Sequence, residues 1–554
     1  MVKKFIIFDR DSLENIHKRV FFSISVFVIF YFIAFFRITD IMILSESLIL
    51  NSSFEPKIQR GKIFDRNGVL LASSIKSFSL AANSQEIQDD NCNYSISKNL
   101  ESILNISKYQ INKKLLNNKK FVYIKRNISP QEHQKIINLG EIGLRTEVKR
   151  KRIYPLREIT SHVVGYTGID EVGQGGIEKG LEKKLSAGED IQISIDSRLQ
   201  QLIRNELLKT INKFSADSAA SIVLDIKTGE ILSINSFPDF DPNNLNSTNL
   251  NNLFNRAIQG NYEMGSTFKP ITMAIGLDKN IIDKNMSFDV TKPIKVGSYR
   301  INDFKPHKGE LDVKGIIVKS SNIGTALISN KIGKNNQIEF FKKIGFFKKI
   351  NFEIDEAAVP LGNKNNWGRL ETMTIGYGHG FAITPMHLAK AYASIVNGGY
   401  LIEPTFIENQ NKKLPKKIIK QETSNLIKQL LRAVILETDY TGPRAKVEGY
   451  ELGGKSGTAE LLDDKGKYKK NANRTTFVSV FPISDPKYLV LAMVENPKKI
   501  KEENFSITAA TVAAPLVKNI IVEIIKVLNI SPVMIDNSIQ AYNQNFFDNK
   551  YVTF

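Results

Sequence analysis

Between Arg19 and Arg37 the chain runs for seventeen residues, VFFSISVFVIFYFIAFF, without a charge and apolar on every side. A helix over this run is about 25 Å long at about 1.5 Å per residue, short but sufficient to cross the hydrocarbon of a bilayer. Helices buried in soluble cores ordinarily keep a polar stripe, and this one has none. We therefore read residues 20–37 as a transmembrane anchor. Lys3, Lys4, Arg10, Lys18 and Arg19 precede it, whereas no lysine or arginine follows Arg37 until Lys57. That asymmetry predicts a cytoplasmic tail over 1–19 and translocation of everything downstream. The text after the run, FRITDIMILSES, has no small-x-small cleavage site, so the anchor is expected to stay uncleaved.

At 554 residues the chain calls for two or more domains. Its 42% hydrophobic and 24% charged residues are those of a folded protein with room for one membrane segment. A formal net charge of +19 raises the question of a nucleic-acid partner. The basic residues, however, are scattered through Lys-Asn-Ile-rich text with no reading helix, finger or aromatic RNA motif, so no nucleic acid is expected. A weaker attraction to anionic lipid or acidic polymers is compatible with the charge. Cys92 is the only cysteine, which rules out an intrachain disulfide. The six histidines form no H-E-x-x-H pair, so neither a metal nor another cofactor is expected.

Residues 38–190 are mixed: short alternating runs such as SFSLAANS, polar helical stretches near 97–140 and glycine-rich text at 165–180. The pattern then changes. Leu199, Leu202, Ile203, Leu207 and Ile211 share one helical face, with Asp196 placed to cap its start. SAASIVLDI, a turn at Lys227-Thr228-Gly229 and EILSINS read as an antiparallel hairpin. RTTFVSVFPI and KYLVLAMVEN flank Ser484-Asp485-Pro486 in the same way. Mostly helical text lies between, including a helix from Thr384 and Pro385 to Gly398-Gly399, and an apolar helix from about Ala509 to Leu528 closes the region. The expected class is α+β, an antiparallel sheet flanked by helices in a domain over 191–530, with a tail at 531–554 for which no role can be argued.

Three short motifs, S-x-x-K, S-x-N and K-[ST]-G, carry the chemistry of serine acyl transfer with lysine as base. Each recurs by chance here, and two ordered sets can be drawn: Ser73, Ser97, Lys227 and Ser266, Ser320, Lys455. Context separates them. The chemistry needs the lysine one helical turn from the serine, so that both project from one face. Ser73 lies in alternating, strand-like text and Lys227 in a hairpin turn. Ser266 opens the apolar run PITMAIGL, with Pro270 in the first turn, where a proline removes no helical bond. Lys455-Ser456-Gly457-Thr458 precedes the second strand pair and can form an edge strand lining a cleft. The second set is the candidate site.

At these residues the chain resembles the class B penicillin-binding proteins, most closely their division-specific septal transpeptidases. RGKIFDRNGVLLA at 60–72 is similar to the start of the family's pedestal domain, and HVVGYTGID with GIEKGLEKKL at 162–185 to its end. YEMGSTFKP, KSSNIGTA, IGYGHGFAITPMHLAKAYASIVNGG, GGKSGTAE and TAATVAAPLV resemble successive parts of its β-lactamase-like transpeptidase domain. Lys-Ser-Gly stands where many relatives have Lys-Thr-Gly, which keeps the hydroxyl. The resemblance implies a periplasmic pedestal over 38–190 and a serine D,D-transpeptidase at the inner membrane. Its substrates would be peptidoglycan stem peptides and its inhibitors β-lactams. A separate glycosyltransferase and other division proteins would be its partners.

Carried over by position, the resemblance makes Ser266 the nucleophile and Lys269 its base, with Lys455 depressing the Lys269 pKa by repulsion, aided by desolvation. Ser320 would relay a proton, and Asn322 would hold substrate and lysine. Ser456, Gly457 and Thr458 would bind substrate, with Lys455, Ser456 and Thr458 meeting its terminal carboxylate. The amides of Ser266 and Thr458 would form the oxyanion hole. No E-x-x-L-N follows Ser320 as in a class A β-lactamase, and no E-D-x-x-F glycosyltransferase start precedes the pedestal. His379, in the glycine-rich loop before Thr384, is a less suitable base, since no G-x-S-x-G elbow exists to partner it. An elongation-type enzyme and a penicillin-binding scaffold of the division machinery are the alternative readings.

Overall fold

The computed structural model describes residues 10–50, 58–87, 90–116, 120–362, 367–408, 416–462, 468–500 and 506–532. The chain divides into two units, Met1–Gln59 and Arg60–Phe554. The first is one helix, α1 (Arg10–Leu50), which contains a stretch, His17–Thr39, long and apolar enough to cross a membrane. Two serine hydroxyls inside that stretch bond back to the helix: Ser23 Oγ donates to Arg19 O and Ser25 Oγ to Phe21 O, both at 2.9 Å. Back-bonding of this kind removes the cost of placing a hydroxyl in hydrocarbon.

The second unit begins with a sheet of β1 (Ile63–Phe64), β2 (Leu70–Ala82), β3 (Val122–Ile128), β4 (Leu144–Ile153) and β5 (Ile191–Gln192). The long β2 pairs antiparallel with β1, β3 and β4, and β1 pairs parallel with β5. Helices α2 (Asp90–Leu104), α3 (Lys108–Leu115) and α4 (Pro130–Ile137) pack on it through Leu80, Leu100, Ile111, Ile124 and Ile136. The helical expectation for 97–140 thus holds only in part. VYIKRNI forms β3 instead, pairing antiparallel with β2 and burying Ile124 and Ile128 in this core while Arg126 and Asn127 face water. Arg152 of β4 joins Arg60, Glu178 and the partly exposed Glu182 in an ion-pair network, with Arg60 and Arg152 each 2.7 Å from Glu178.

Helix α5 (Ser197–Phe214) starts where expected, with the Asp196 carboxylate accepting the Arg198 N–H. Then come β6 (Ser218–Asp225), β7 (Ile231–Phe237), the short β8 (Tyr262–Glu263), α6 (Lys269–Asp278), α7 (Asn322–Ile344), β9 (Ala382–Ile383), α8 (Pro385–Val396), α9 (Gln421–Leu436), β10 (Gly453–Leu462), β11 (Tyr468–Phe481), β12 (Tyr488–Glu495) and α10 (Ala513–Leu528). The main sheet has the order β10-β11-β12-β6-β7 and is antiparallel throughout. Its central strands are buried on both faces. Leu489, Leu491 and Met493 point to one core, shared with α6 and α8, and Val490, Ala492 and Val494 point to the other, shared with α5 and α10. Thr384 caps α8 and Pro385 opens it, as read. The closing helix starts at Ala513, four residues later than expected, because the Thr511 hydroxyl caps a turn by donating to Ser506 O and accepting the Thr508 N–H.

Candidate active site

Gly265–Phe268 forms one 3-10 turn that runs directly into α6, with Pro270 in the first helical turn. Ser266 lies on that turn, half-buried, and Lys269 is the first residue of the helix, fully buried. Side chains pin the turn. Thr267 Oγ1 donates to Met264 O at 2.7 Å, and Tyr392 Oη donates to Thr267 O at 2.6 Å.

Ser320 follows a short helix and takes a left-handed backbone, φ 56°, before Ser321 caps α7. Strained conformations of this kind, costing about 1–3 kcal/mol, persist only where surroundings enforce them. Here Asp303 does so: its carboxylate accepts the Ser321 hydroxyl at 2.7 Å and the amides of Asn322 and Ile323. No motif marks Asp303 in the sequence, where it is one acid in a polar loop.

Both lysine amines converge on Ser320. Lys269 Nζ donates to the Ser320 carbonyl and, at 3.2 Å, to Oγ; Lys455 Nζ donates to the same Oγ and to Ser456 O, both at 3.0 Å. Two accepted bonds use the lone pairs of Oγ and leave its O–H to donate. Among the described residues neither lysine has a carboxylate at ion-pair distance, and Lys455 is as buried as Lys269. Burial lowers the Lys455 pKa to about 7. It also holds Lys269 well below the ordinary lysine value, with repulsion from Lys455 second and Asp303 opposing. The expected ranking of these two causes is therefore reversed, because both amines lie in the interior.

The Ser266 hydroxyl makes no hydrogen bond among the described residues, since the Lys269 amine is turned onto Ser320. Asn322 likewise stands apart from Lys269: its amide donates to Asn302 O at 3.1 Å. Strand β10 is the sheet edge, as expected, and lies against the Ser266 turn. A Cβ on Gly457 would sit 2.6 Å from Met264 O, so only glycine permits the approach. Thr458 is exposed and its Oγ1 accepts the Ala509 N–H at 3.0 Å, which leaves its own O–H available. Ser456 is half-buried. The rejected set is dispersed, with Ser73 in β2, Ser97 in α2 and Lys227 in the β6–β7 turn, paired with Asp485 at 2.6 Å. His379 contacts Glu263 and Tyr468 rather than Ser266.

Comparison with known proteins identifies the family. Residues 219–521 match the family described as the penicillin-binding protein transpeptidase domain, and 56–212 match the penicillin-binding protein dimerisation domain. The chain belongs to the penicillin-binding protein transpeptidases. This penicillin-binding protein is 31% identical to the probable peptidoglycan D,D-transpeptidase FtsI of Caulobacter vibrioides, over 85% of the chain and 82% of the relative. It is 30% identical to the probable peptidoglycan D,D-transpeptidase PenA of Neisseria meningitidis, over 85% of each, and 27% identical to the peptidoglycan D,D-transpeptidase FtsI of Escherichia coli, over 85% and 84%. The crystal structure of a peptidoglycan synthetase from Bifidobacterium adolescentis shares its fold, with a TM-score of 0.68 at 20% identity, over 87% of this chain and 97% of that one. The α+β class, with an apolar N-terminal helix ahead of two domains, is thereby established.

Proposed function

We propose that this enzyme cross-links septal peptidoglycan by D,D-transpeptidation, with Ser266 as nucleophile. The observation that carries the reading is the convergence of two buried amines, unpaired by any described carboxylate, on Ser320 Oγ beside the Ser266 turn. An amine kept neutral by burial has a lone pair for a proton. Ser266 Oγ attacks the carbonyl between two terminal D-alanines as its proton passes to Lys269 Nζ. The C–N bond then breaks as Ser320 passes its proton to the departing D-alanine amine and takes one from Lys269 Nζ, which leaves an acyl-enzyme ester and a neutral lysine. The amine of a second stem peptide attacks that ester, forming the cross-link and returning the proton to Ser266.

In this reading the amides of Ser266 and Thr458 hold the oxyanion, each donor contributing about 3 kcal/mol. The outward hydroxyls of Ser456 and Thr458, with Lys455, receive the terminal carboxylate, Gly457 lets β10 approach, and Asn322 positions the peptide backbone. β-Lactams would acylate the same serine. The pedestal, over 38–190, and the transpeptidase domain, over 191–530, stand outside the inner membrane with the tail inside, a topology supported by the lysine and arginine distribution around the anchor. A separate glycosyltransferase and other division proteins would work beside it.

The test is labelling of the detergent-solubilised chain with a fluorescent penicillin. Wild type should be labelled, and Ser266→Ala should fold but take no label; undiminished labelling of that variant would remove Ser266 from its role. A fluorescent fusion should concentrate at the septum, and uniform side-wall localisation would instead favour an elongation enzyme.

A further inference from the structure

Glu263, three residues before Ser266, joins segments that the mechanism above leaves unconnected. It pairs with Ala382 in the two-stranded β8–β9 ladder. Its Oε1 accepts the Gly380 N–H at 2.7 Å. Its Oε2 accepts the Tyr468 hydroxyl at 3.2 Å and lies 3.2 Å from His379 Nδ1, which is itself 3.2 Å from the Tyr468 oxygen. With Tyr468 donating to the carboxylate, Nδ1 is the proton-bearing nitrogen of His379.

One carboxylate therefore meets the strand that leads into the Ser266 turn, the glycine loop before β9, and β11, the partner of the Lys455 strand. The glycine loop is in turn locked to the nucleophile. Gly265 N donates to Gly378 O at 3.3 Å, and a Cβ on Gly378, φ 86°, would lie 2.2 Å from Gly265 O. Burial works against ionisation of Glu263, but the bonds from His379 and Gly380 outweigh it and hold the group below the ordinary carboxylate range.

We propose that Glu263, acting with His379 and Tyr468, is a positioning residue for acylation: it fixes the gap between the Ser266 turn and the Lys455–Thr458 strand, into which the acyl donor's peptide fits. Glu263 reaches the reacting atoms only through the backbone of these segments. The arrangement is suited to rate more than to stability. Tyr468 is 45% exposed and the His379 side chain 25%, so their own contacts add little to the fold, whereas the Glu263 carboxylate, at 11%, is largely buried. A displacement of about 1 Å at a reacting centre, by contrast, costs about 100-fold in rate. This inference rests on Ser266 being the nucleophile.

The experiment uses the full chain in detergent with a fluorescent penicillin, separating the binding constant from the limiting acylation rate, alongside melting temperature. Glu263→Ala and Tyr468→Phe should lower the limiting rate about 10-fold or more with binding nearly unchanged; the melting temperature should stay nearly unchanged in Tyr468→Phe and fall modestly in Glu263→Ala, which leaves the Gly380 N–H without its acceptor. Glu263→Gln, which keeps the acceptor for Gly380, should recover much of that loss. Wild-type rates in both Glu263→Ala and Tyr468→Phe would overturn the proposal, as would rate losses that only track a fall in melting temperature. Labelling of Ser266→Ala, or none of wild type, would instead overturn the nucleophile assignment and this inference with it.

Discussion

Replacing Lys455 with methionine should stabilise the protein while abolishing acylation. Methionine fills the same slot without a charge. The fall of the Lys455 pKa from 10.5 to about 7 corresponds, at 1.36 kcal/mol for each pH unit, to about 5 kcal/mol of folding free energy lost when the amine is protonated. Methionine forfeits the bonds to Ser320 Oγ and Ser456 O, a loss of about 1–3 kcal/mol. The net gain is then about 2–4 kcal/mol below pH 7.

Its pH dependence follows from proton counting. The unfolded amine keeps its proton to 10.5 and the folded one releases it near 7. Between these values the unfolded state binds more protons, so wild-type stability rises with pH through this window. The advantage of Lys455→Met should be largest at about pH 6 and shrink towards about pH 10. Trp367, the sole tryptophan and 3% exposed in the catalytic core, reports urea unfolding of that region by fluorescence. A variant less stable than wild type at pH 6, or equally favoured at both pH values, would refute the claim that burial of this amine opposes folding.

Gly457→Ala drives a methyl to 2.6 Å from Met264 O, so penicillin acylation should fall about 100-fold, measured by stopped-flow labelling. Glu178→Ala strands the buried Arg152 guanidinium and leaves Arg60 with Glu182 as its remaining carboxylate; urea unfolding should show a loss of about 3–5 kcal/mol while the folded fraction still acylates. Asp303→Asn removes the negative charge that holds the Lys269 pKa up against burial, so the acid limb of the acylation pH profile should move to lower pH. An unmoved or raised limb would show that Asp303 does not act on Lys269.

What the sequence made legible is what local rules encode. The caps Asp196 and Thr384, the proline starts at Pro270 and Pro385 and the two hairpins all appear as read, because backbone sterics and alternation act over a few residues. Motif spacing singles out Ser266, Lys269, Ser320 and Lys455 as candidates, and the fold brings both lysines to Ser320. Strand β3 was hidden by its lysines and arginines, whose heads reach water whichever element carries them. Asp303 and Glu263 were invisible because their roles depend on partners 18 or more residues away in sequence, such as Ser321 and Tyr468. The order of causes at Lys269 is hidden for the same reason: spacing brings two amines together but does not say how dry their surroundings are.

The placement of the amines explains why the site spans so much of the chain. An amine that serves as a base near neutral pH must be kept from water and from carboxylates, and such a group opposes folding wherever it sits. No single helix start can impose that. Lys269 has apolar surroundings because α6 is buried along almost its whole length, and Lys455 has them because the edge strand β10 is pressed on the Ser266 turn through Gly457. The two-faced sheet, with one core shared by α6 and α8 and the other by α5 and α10, supplies the stability that offsets both amines. If that is so, truncations in the other core, such as Leu207→Ala in α5, should destabilise by about 2–5 kcal/mol, and Lys455→Met should restore much of the loss. A failure of the second change to rescue the first would mean that the amines are not what the core is offsetting.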